Sequence, residues 1–554
     1  MGCVIAMLMG PRPVWGTPLP TCTSTPIEID GEHLRLDDVE RVARLGQPAS
    51  LSRLDAVRER IVRAWELKEE FVANGTPVYG VNTGLGDSVR HQIAAENAIA
   101  LQHNLVRFLG NGTGPELSTS ATRALMLIRA NTLARGHSGV RVGLVERLLD
   151  LLNAGITPVI PEEGSVGASG DLVPLSYLAA VIQGDRFVRY LGEVVPAASA
   201  LRAVGIEPFA LEAKEALAIV NGTAFMTGIA GLVARDAATI AQLADVCTAL
   251  TTEVLRASTG PFAEFLHDVA KPFPGQIQSA ANVRYWLGGS ELAEPQAELV
   301  LKVGRGGNEH RVLPVQIQDS YSVRCAPDFV GVLWDALEWA TRWLEVEINS
   351  STDNPLLDVS SRSVASGGNF SGGHVALTMD AIKIAVASVA DLMDRQLELI
   401  VDEKFNRGLT ANLIARVPAG HPDEGLHHGF KGMQLACSSL VGDALSRCMP
   451  VTIFSRSTEC HNQDKVSMGA TAARQARDVV TLAEKVGVIH LLALCQAADL
   501  RGVSGLGRTR LVYDRVRAHV PFVSVDRSMA DDITTVLRIL QDGSLLAGSN
   551  DTEA

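Results

Sequence analysis

Two long stretches of the chain repeat apolar residues at helical spacing, and they limit the possible folds more than any other feature. Leu333, Leu337, Ala340, Leu344 and Ile348 share one face of the first, and Ile382, Val386, Val389, Met393, Leu397 and Ile400 share one face of the second. Steps of three and four residues lay an apolar stripe along a helix, and such helices bury their stripes against one another in a bundle. The 554 residues are 47% hydrophobic but only 5% aromatic, a balance that favours closely packed helices rich in Ala and Leu over a β architecture. This length supports a large core and two or three structural units. No repeat of fixed period is evident, and no linker is rich enough in Pro, Gly or charge to separate independent domains.

Composition also narrows the partners. A net charge of −13 gives no basic footprint, so nucleic acid is not an expected partner. The eight cysteines (3, 22, 247, 325, 437, 448, 460 and 495) form no CxxC pair; this reads as a reduced, cytoplasmic protein rather than a disulfide framework or a zinc site. No apolar run approaches the roughly 18 residues of a membrane span, so no membrane association is expected. Residues 1–25 are irregular and Pro/Thr-rich, and the apolar stretch Val4 to Met9 has no basic segment before it. A disordered extension or a displaced start fits them better than a signal peptide.

Along the chain, a helix is predicted from about Ser52, with Leu54, Val57, Ile61 and Trp65 on one face, stopping at Asn74-Gly75. Tyr79-Gly80-Val81-Asn82-Thr83-Gly84-Leu85-Gly86 follows, a run of turn formers that no packed helix would use. Residues 97–114 read as a helix ending at glycine, with Phe108-Leu109 near its end. The most unusual chemistry lies in residues 164–177, where Ala168-Ser169-Gly170 precedes Asp171 and an apolar run. Gly170 has no Cβ, so its backbone nitrogen can approach the Ala168 carbonyl carbon closely. If it attacks there and Ser169 loses its hydroxyl as water, the tripeptide closes into an imidazolone bearing an exocyclic methylene. That group is a strong electrophile, which ordinary side chains do not supply. On the tripeptide alone, a turn leading into a helix is the simpler reading.

Longer motifs change the balance. Tyr79 to Gly86, Gly164 to Tyr177, Gln318 to Pro327, Asn349 to Pro355, Gly367 to Phe370 and Glu459 to Asp464 occur in this order. Together they resemble the aromatic amino acid and histidine ammonia-lyases and their sibling aminomutases, over roughly residues 27–510. The resemblance implies 4-methylidene-imidazol-5-one (MIO) formed from Ala168, Ser169 and Gly170, with no external cofactor. It makes Tyr79 the base on a mobile loop, where the family commonly has Phe at the position of Leu85. Asn221 would contact MIO and the substrate carboxylate. Arg324 would clamp that carboxylate, as a planar bidentate group suits it, with Gln318 and Tyr321 completing the polar network. Asn354 and Phe370 fall in loops resembling active-site walls, although Ser371-Gly372-Gly373 departs from the commoner His-Gly-Gln.

Specificity is also implied by resemblance. Histidine stands at the Phe108-Leu109 position in tyrosine- and histidine-directed members, and Phe-Leu marks phenylalanine-directed ones. Histidine lyases carry glutamate where Gln463 stands, and Gln463 with Glu459 resembles the phenylalanine lyases. His461 lies beside acids, but no second His or Cys falls at ligand spacing, so no metal is assigned. The implied fold is all-α and fumarase/aspartase-like: a smaller N-terminal region (26–235) carrying the Tyr79 loop and the tripeptide, then an elongated central and C-terminal helical bundle (236–554). Family members are homotetramers whose active sites are shared among three subunits, and this chain is too short for the added C-terminal domain of plant enzymes.

The expected reaction is elimination of ammonia from the small aromatic amino acid L-phenylalanine to give trans-cinnamate. An unperturbed tyrosine has a pKa of about 10, so Tyr79 is expected to need a lowered value. A phenylalanine 2,3-aminomutase is the nearest alternative, followed by tyrosine or histidine ammonia-lyases and then by a catalytically silent helical scaffold.

Overall fold

The computed structural model describes residues 25–304 and 310–547. The expected N-terminal extension, residues 1–25, lies outside them except for its last residue. Both amphipathic patterns form helices, Ala326–Ile348 and Gly373–Val401, with every named apolar residue buried. They pack with Ala224–Val254, Lys431–Ser446 and Gly469–Arg501 into a helical bundle. The contacting faces are mostly Ala, Leu and Val. Ala230, Ala234, Ala237, Ala241 and Ala244 line the buried side of one helix and Ala472, Ala473, Ala476 and Ala483 that of another. Small side chains let helix axes come close, so the low aromatic content is a packing requirement of this core.

Ala224–Val254 is long and apolar enough to cross a membrane by length and composition, and 83% of its most apolar window is buried inside the protein. Arg235, Asp236, Asp245 and Glu253 interrupt its apolar run, and the helix serves as a bundle core. It also packs on Thr119–Ala134 of the N-terminal region, so the division at 235/236 falls within a continuous helix.

The N-terminal region carries shorter helices and small β pairs. Asp55–Ala73 matches the helix predicted from about Ser52, with Leu54 as its exposed N-cap. The expected 97–114 helix stops earlier: Ala98–Phe108 is helical, and Thr113–Glu116 is a strand antiparallel to Pro161–Glu163. Gly110, Gly112 and Gly114 do not sustain a helix, and Gly114 takes φ +83°, a backbone that side chains disfavour. This pairing places the end of the Ala98–Phe108 helix beside the start of the 164–171 loop.

One buried acid in the bundle has neutral partners. Asp245 accepts from Ser279 Oγ at 2.5 Å, Asn282 Nδ2 at 2.8 Å and Trp334 Nε1 at 3.1 Å. Burial still pushes its carboxyl up from 3.8 to about 7. An acid whose pKa rises on folding adds stability below its unfolded value and loses it as pH rises through the folded value. The apparent Tm should therefore fall between about pH 4 and 7 by a component that Asp245→Asn abolishes. In that variant the amide nitrogen donates to Ser279 and the oxygen still accepts from Asn282 and Trp334. Asp245→Leu leaves those two donors unpaired, at about 1–3 kcal/mol each. Thermal unfolding across this pH range checks both outcomes.

Candidate active site

The 164–171 loop is held from both sides. The Val166 carbonyl accepts from Met468 N–H at 3.0 Å, and the Gly167 carbonyl accepts from Ser467 N–H at 3.2 Å and Ser467 Oγ at 3.1 Å. On the other side, Asp171 N–H donates to the Gly222 carbonyl at 2.7 Å, and Gly170 and Gly222 pair as a short parallel bridge. Gly170 has φ +70°, and a Cβ there would overlap the Gly222 backbone, so no other residue fits. The Asp171 carboxylate accepts from Ser165 Oγ and from Met226 N–H, both at 2.9 Å. Burial raises its carboxyl to about 7 against these donors.

Asn221 ends the Glu215–Val220 helix and uses both ends of its amide. Its Nδ2 donates to the Ser169 carbonyl at 2.6 Å, and its Oδ1 accepts from Asn354 N–H at 2.7 Å. Below it, the fully buried Arg129 donates to the Asn221 carbonyl at 2.7 Å, to the Ala218 carbonyl and to Thr352 Oγ1 at 3.1 Å. Gln463 Nε2 donates to Ser169 Oγ at 2.9 Å. The serine is thus held at its carbonyl by Asn221 and at its hydroxyl by Gln463.

Tyr79 faces the same space. Its hydroxyl accepts from Gly86 N–H at 2.9 Å, which closes the 79–86 run on itself. Buried Gln102 ties this loop to its surroundings by donating to the Gly80 carbonyl at 3.0 Å and accepting from Leu217 N–H at 3.1 Å. Burial raises the Tyr79 phenol above its ordinary value; the Gly86 N–H acts the other way, and the Glu459 carboxylate adds to the rise. This corrects the expectation of a lowered value. Within one chain a single N–H compensates for the loss of water around a nascent phenolate.

These groups enclose a cavity of about 750 Å³. Of the predicted site residues, Tyr79, Phe108, Leu109, Ala168, Ser169, Asn221, Asn354, Phe370, Glu459 and Gln463 line it, with Gly170 directly behind. Gln318, Tyr321 and Arg324 are not brought there. Tyr321 is 69% exposed, the Arg324 guanidinium lies over its ring at 4.5 Å, and the buried Arg324 Nε has no hydrogen-bond partner among the described residues. Leu101, Asn104 and Leu105 also line the cavity. With Phe108 they step i, i+3, i+4, i+7 along one helix face, a signal the sequence already carried. Gln102 and Arg129 act from behind the wall, and no local pattern marks them.

Four helices begin around this point: Leu172–Ile182, Ala224–Val254, Gly373–Val401 and Gly469–Arg501. Met226, in the first turn of the second, packs so closely on Gly372 and Gly469 that a Cβ at either would collide with its sulfur. The positive ends of these helices favour negative charge near the tripeptide. An accessible Ala168-Ser169 pair, a glycine that tolerates no Cβ and a donor on the Ser169 carbonyl together suit a cyclised tripeptide.

Comparison with known proteins agrees with this geometry. The profile of the aromatic amino acid lyase family matches residues 34–518. The tyrosine ammonia-lyase of Cupriavidus metallidurans is 40% identical over 94% of this chain and 97% of its own length. The MIO-dependent tyrosine 2,3-aminomutase of Streptomyces globisporus is 39% identical over 94% of this chain and 96% of its own. A crystal structure of the tyrosine aminomutase from that organism superposes with a TM-score of 0.88, covering 94% of this chain and 98% of that one. A histidine ammonia-lyase of Geobacillus is 38% identical over 93% of this chain and 96% of its own length. The chain, from its helical bundle to the clamped Ala168-Ser169-Gly170 loop, belongs to the aromatic amino acid lyase family.

Proposed function

We propose that this protein eliminates ammonia from L-phenylalanine to give trans-cinnamate, using MIO formed from Ala168, Ser169 and Gly170. The observation that carries this reading is the apolar Phe108-Leu109 pair on the cavity wall, with Leu101, Asn104 and Leu105 of the same helix beside it and His91 elsewhere in the lining. When formed, MIO supplies an electrophile that turns the substrate amine into a leaving group. The chain's own residues do the rest. Asn221 holds the Ser169 carbonyl, Gln463 engages the Ser169 hydroxyl before it is eliminated, Tyr79 takes the β-proton, and Phe108 and Leu109 pack the ring. The carboxylate clamp of Arg324, Gln318 and Tyr321 is supplied by another copy in a homotetramer. Two observations support this: the cavity lining contains no arginine among the described residues, and Leu435, Met449, Ile453 and Phe454 are exposed on the bundle.

The tyrosine-directed names among the relatives favour a second reading, L-tyrosine to coumarate, by the same residues or by an aminomutase variant of them. The ring pocket separates the two. A tyrosine hydroxyl brought against Phe108 and Leu109 loses water without gaining a partner, at about 1–3 kcal/mol, or one to two decades in kcat/KM. Phe108→His or Leu109→His supplies a partner at that edge. The kcat/KM ratio of L-Tyr over L-Phe should rise by about tenfold or more, mainly through loss of activity on L-Phe. An unchanged ratio in variants that fold would remove the support for phenylalanine.

Ser169→Ala should fold but lose turnover, because no hydroxyl remains to eliminate. Mass spectrometry of the wild-type peptide spanning 168–170 should show the loss of two waters, and the variant should not. Tyr79→Phe should keep that mass change and lose turnover. With its phenol raised by burial, Tyr79 ionises only as pH rises, and the substrate must also arrive as the free amine. The kcat/KM profile should therefore climb through the alkaline range; a maximum at or below neutrality would count against Tyr79 as base.

A further inference from the structure

Glu459 lines the cavity, but its carboxylate is engaged by protein. Both oxygens accept from Asp87 N–H, at 3.1 and 3.3 Å, one residue beyond the Gly86 N–H that holds the Tyr79 hydroxyl. Gly86 permits this approach, because a Cβ there would fall onto the Glu459 carboxylate. The turn that delivers Glu459 is itself unusual. Glu459, Cys460 and His461 have φ values of 52°, 51° and 65°, three successive residues with side chains in the left-handed region that sterics disfavour. Such a turn persists only where its surroundings hold it. Here Thr458 N–H donates to the Gln463 carbonyl at 2.8 Å, Gln463 N–H returns to Thr458 at 3.2 Å, and Ser457 Oγ meets His461 Nδ1 at 2.8 Å. At the base of this hairpin Gln463 also holds Ser169 Oγ.

We propose that Glu459 is a positioning residue that latches the Tyr79 loop by holding the Asp87 N–H from the tip of the Thr458–Gln463 hairpin. One short hairpin then reaches both halves of the site: its tip holds the loop bearing Tyr79, and Gln463 at its base faces residue 169. Release of Asp87 N–H frees the loop at the residues next to the Tyr79 hydroxyl contact. The effect of the latch on turnover rests on Tyr79 being the base; the latch itself does not.

Hydrogen exchange of the full-length protein, read by mass spectrometry over residues 84–88, tests the latch directly. Glu459→Ala should speed exchange at the Asp87 amide by about tenfold or more, since a hydrogen bond to a charged acceptor is lost. Glu459→Gln keeps an oxygen that accepts from that amide, so it should exchange at least about threefold more slowly than the alanine variant. Unchanged exchange in Glu459→Ala, or a glutamine variant no slower than alanine, would overturn the latch. In steady state, Glu459→Ala should lower kcat more than it raises KM, with partial rescue by glutamine. Faster exchange in Glu459→Ala with undiminished kcat would leave the latch standing and contradict Tyr79 as the base.

Discussion

Arg129 has no exposed surface, and its guanidinium reaches the carbonyls of Ala218 and Asn221 and the hydroxyl of Thr352. Burial lowers it to about 10, with Asp353 and Asp171 opposing the shift, so it remains a cation at neutral pH. It thereby fixes the end of the Glu215–Val220 helix and the Asn221-Gly222 turn. That turn organises the site: Asn221 holds the Ser169 carbonyl, and Gly222 carries the backbone bridge to Gly170 and accepts from Asp171. Buried charges are costly unless their donors are met, and here the cost is borne where it sets the geometry of three residues. Asp353 extends the network, accepting from Ser138 Oγ at 2.8 Å and Lys214 Nζ at 2.5 Å.

The bundle has a second role besides burying apolar surface. Long helices with small side chains bring several N-termini to one place, so their partial positive charges add near the tripeptide. A rigid scaffold then carries the fixed wall, while the 79–86 run and the 458–463 hairpin supply the parts that hold or release the loop. Division of labour of this kind allows a strained turn at residues 459–461 to persist, because the rest of the hairpin is hydrogen-bonded around it.

Much of this was legible in the sequence, for definite reasons. The Leu333–Ile348 and Ile382–Ile400 stripes have the period of a helix and became bundle helices. The tripeptide, Tyr79, Asn221 and Gln463 lie within long motifs, and the fold brings them to one cavity. What escaped was non-local. Arg129 and Gln102 act across 92 and 115 residues of sequence, to Asn221 and Leu217, and nothing nearby distinguishes them from ordinary helix residues. The direction of the Tyr79 shift depends on burial and on Glu459, neither of which a motif encodes. The strand at Thr113–Glu116 was hidden by a helical pattern ending just before it, and its partner lies far along the chain. Gln318, Tyr321 and Arg324 form a family-like motif that a single chain leaves outside the cavity.

The most direct measurement is chromatographic analysis of products after incubating the purified protein with L-phenylalanine, L-tyrosine and L-histidine separately. The expected result is trans-cinnamate with an equivalent of ammonia from L-phenylalanine, at a higher kcat/KM than for the other two. A higher kcat/KM on L-tyrosine or L-histidine, or no unsaturated acid from any of them, would contradict it.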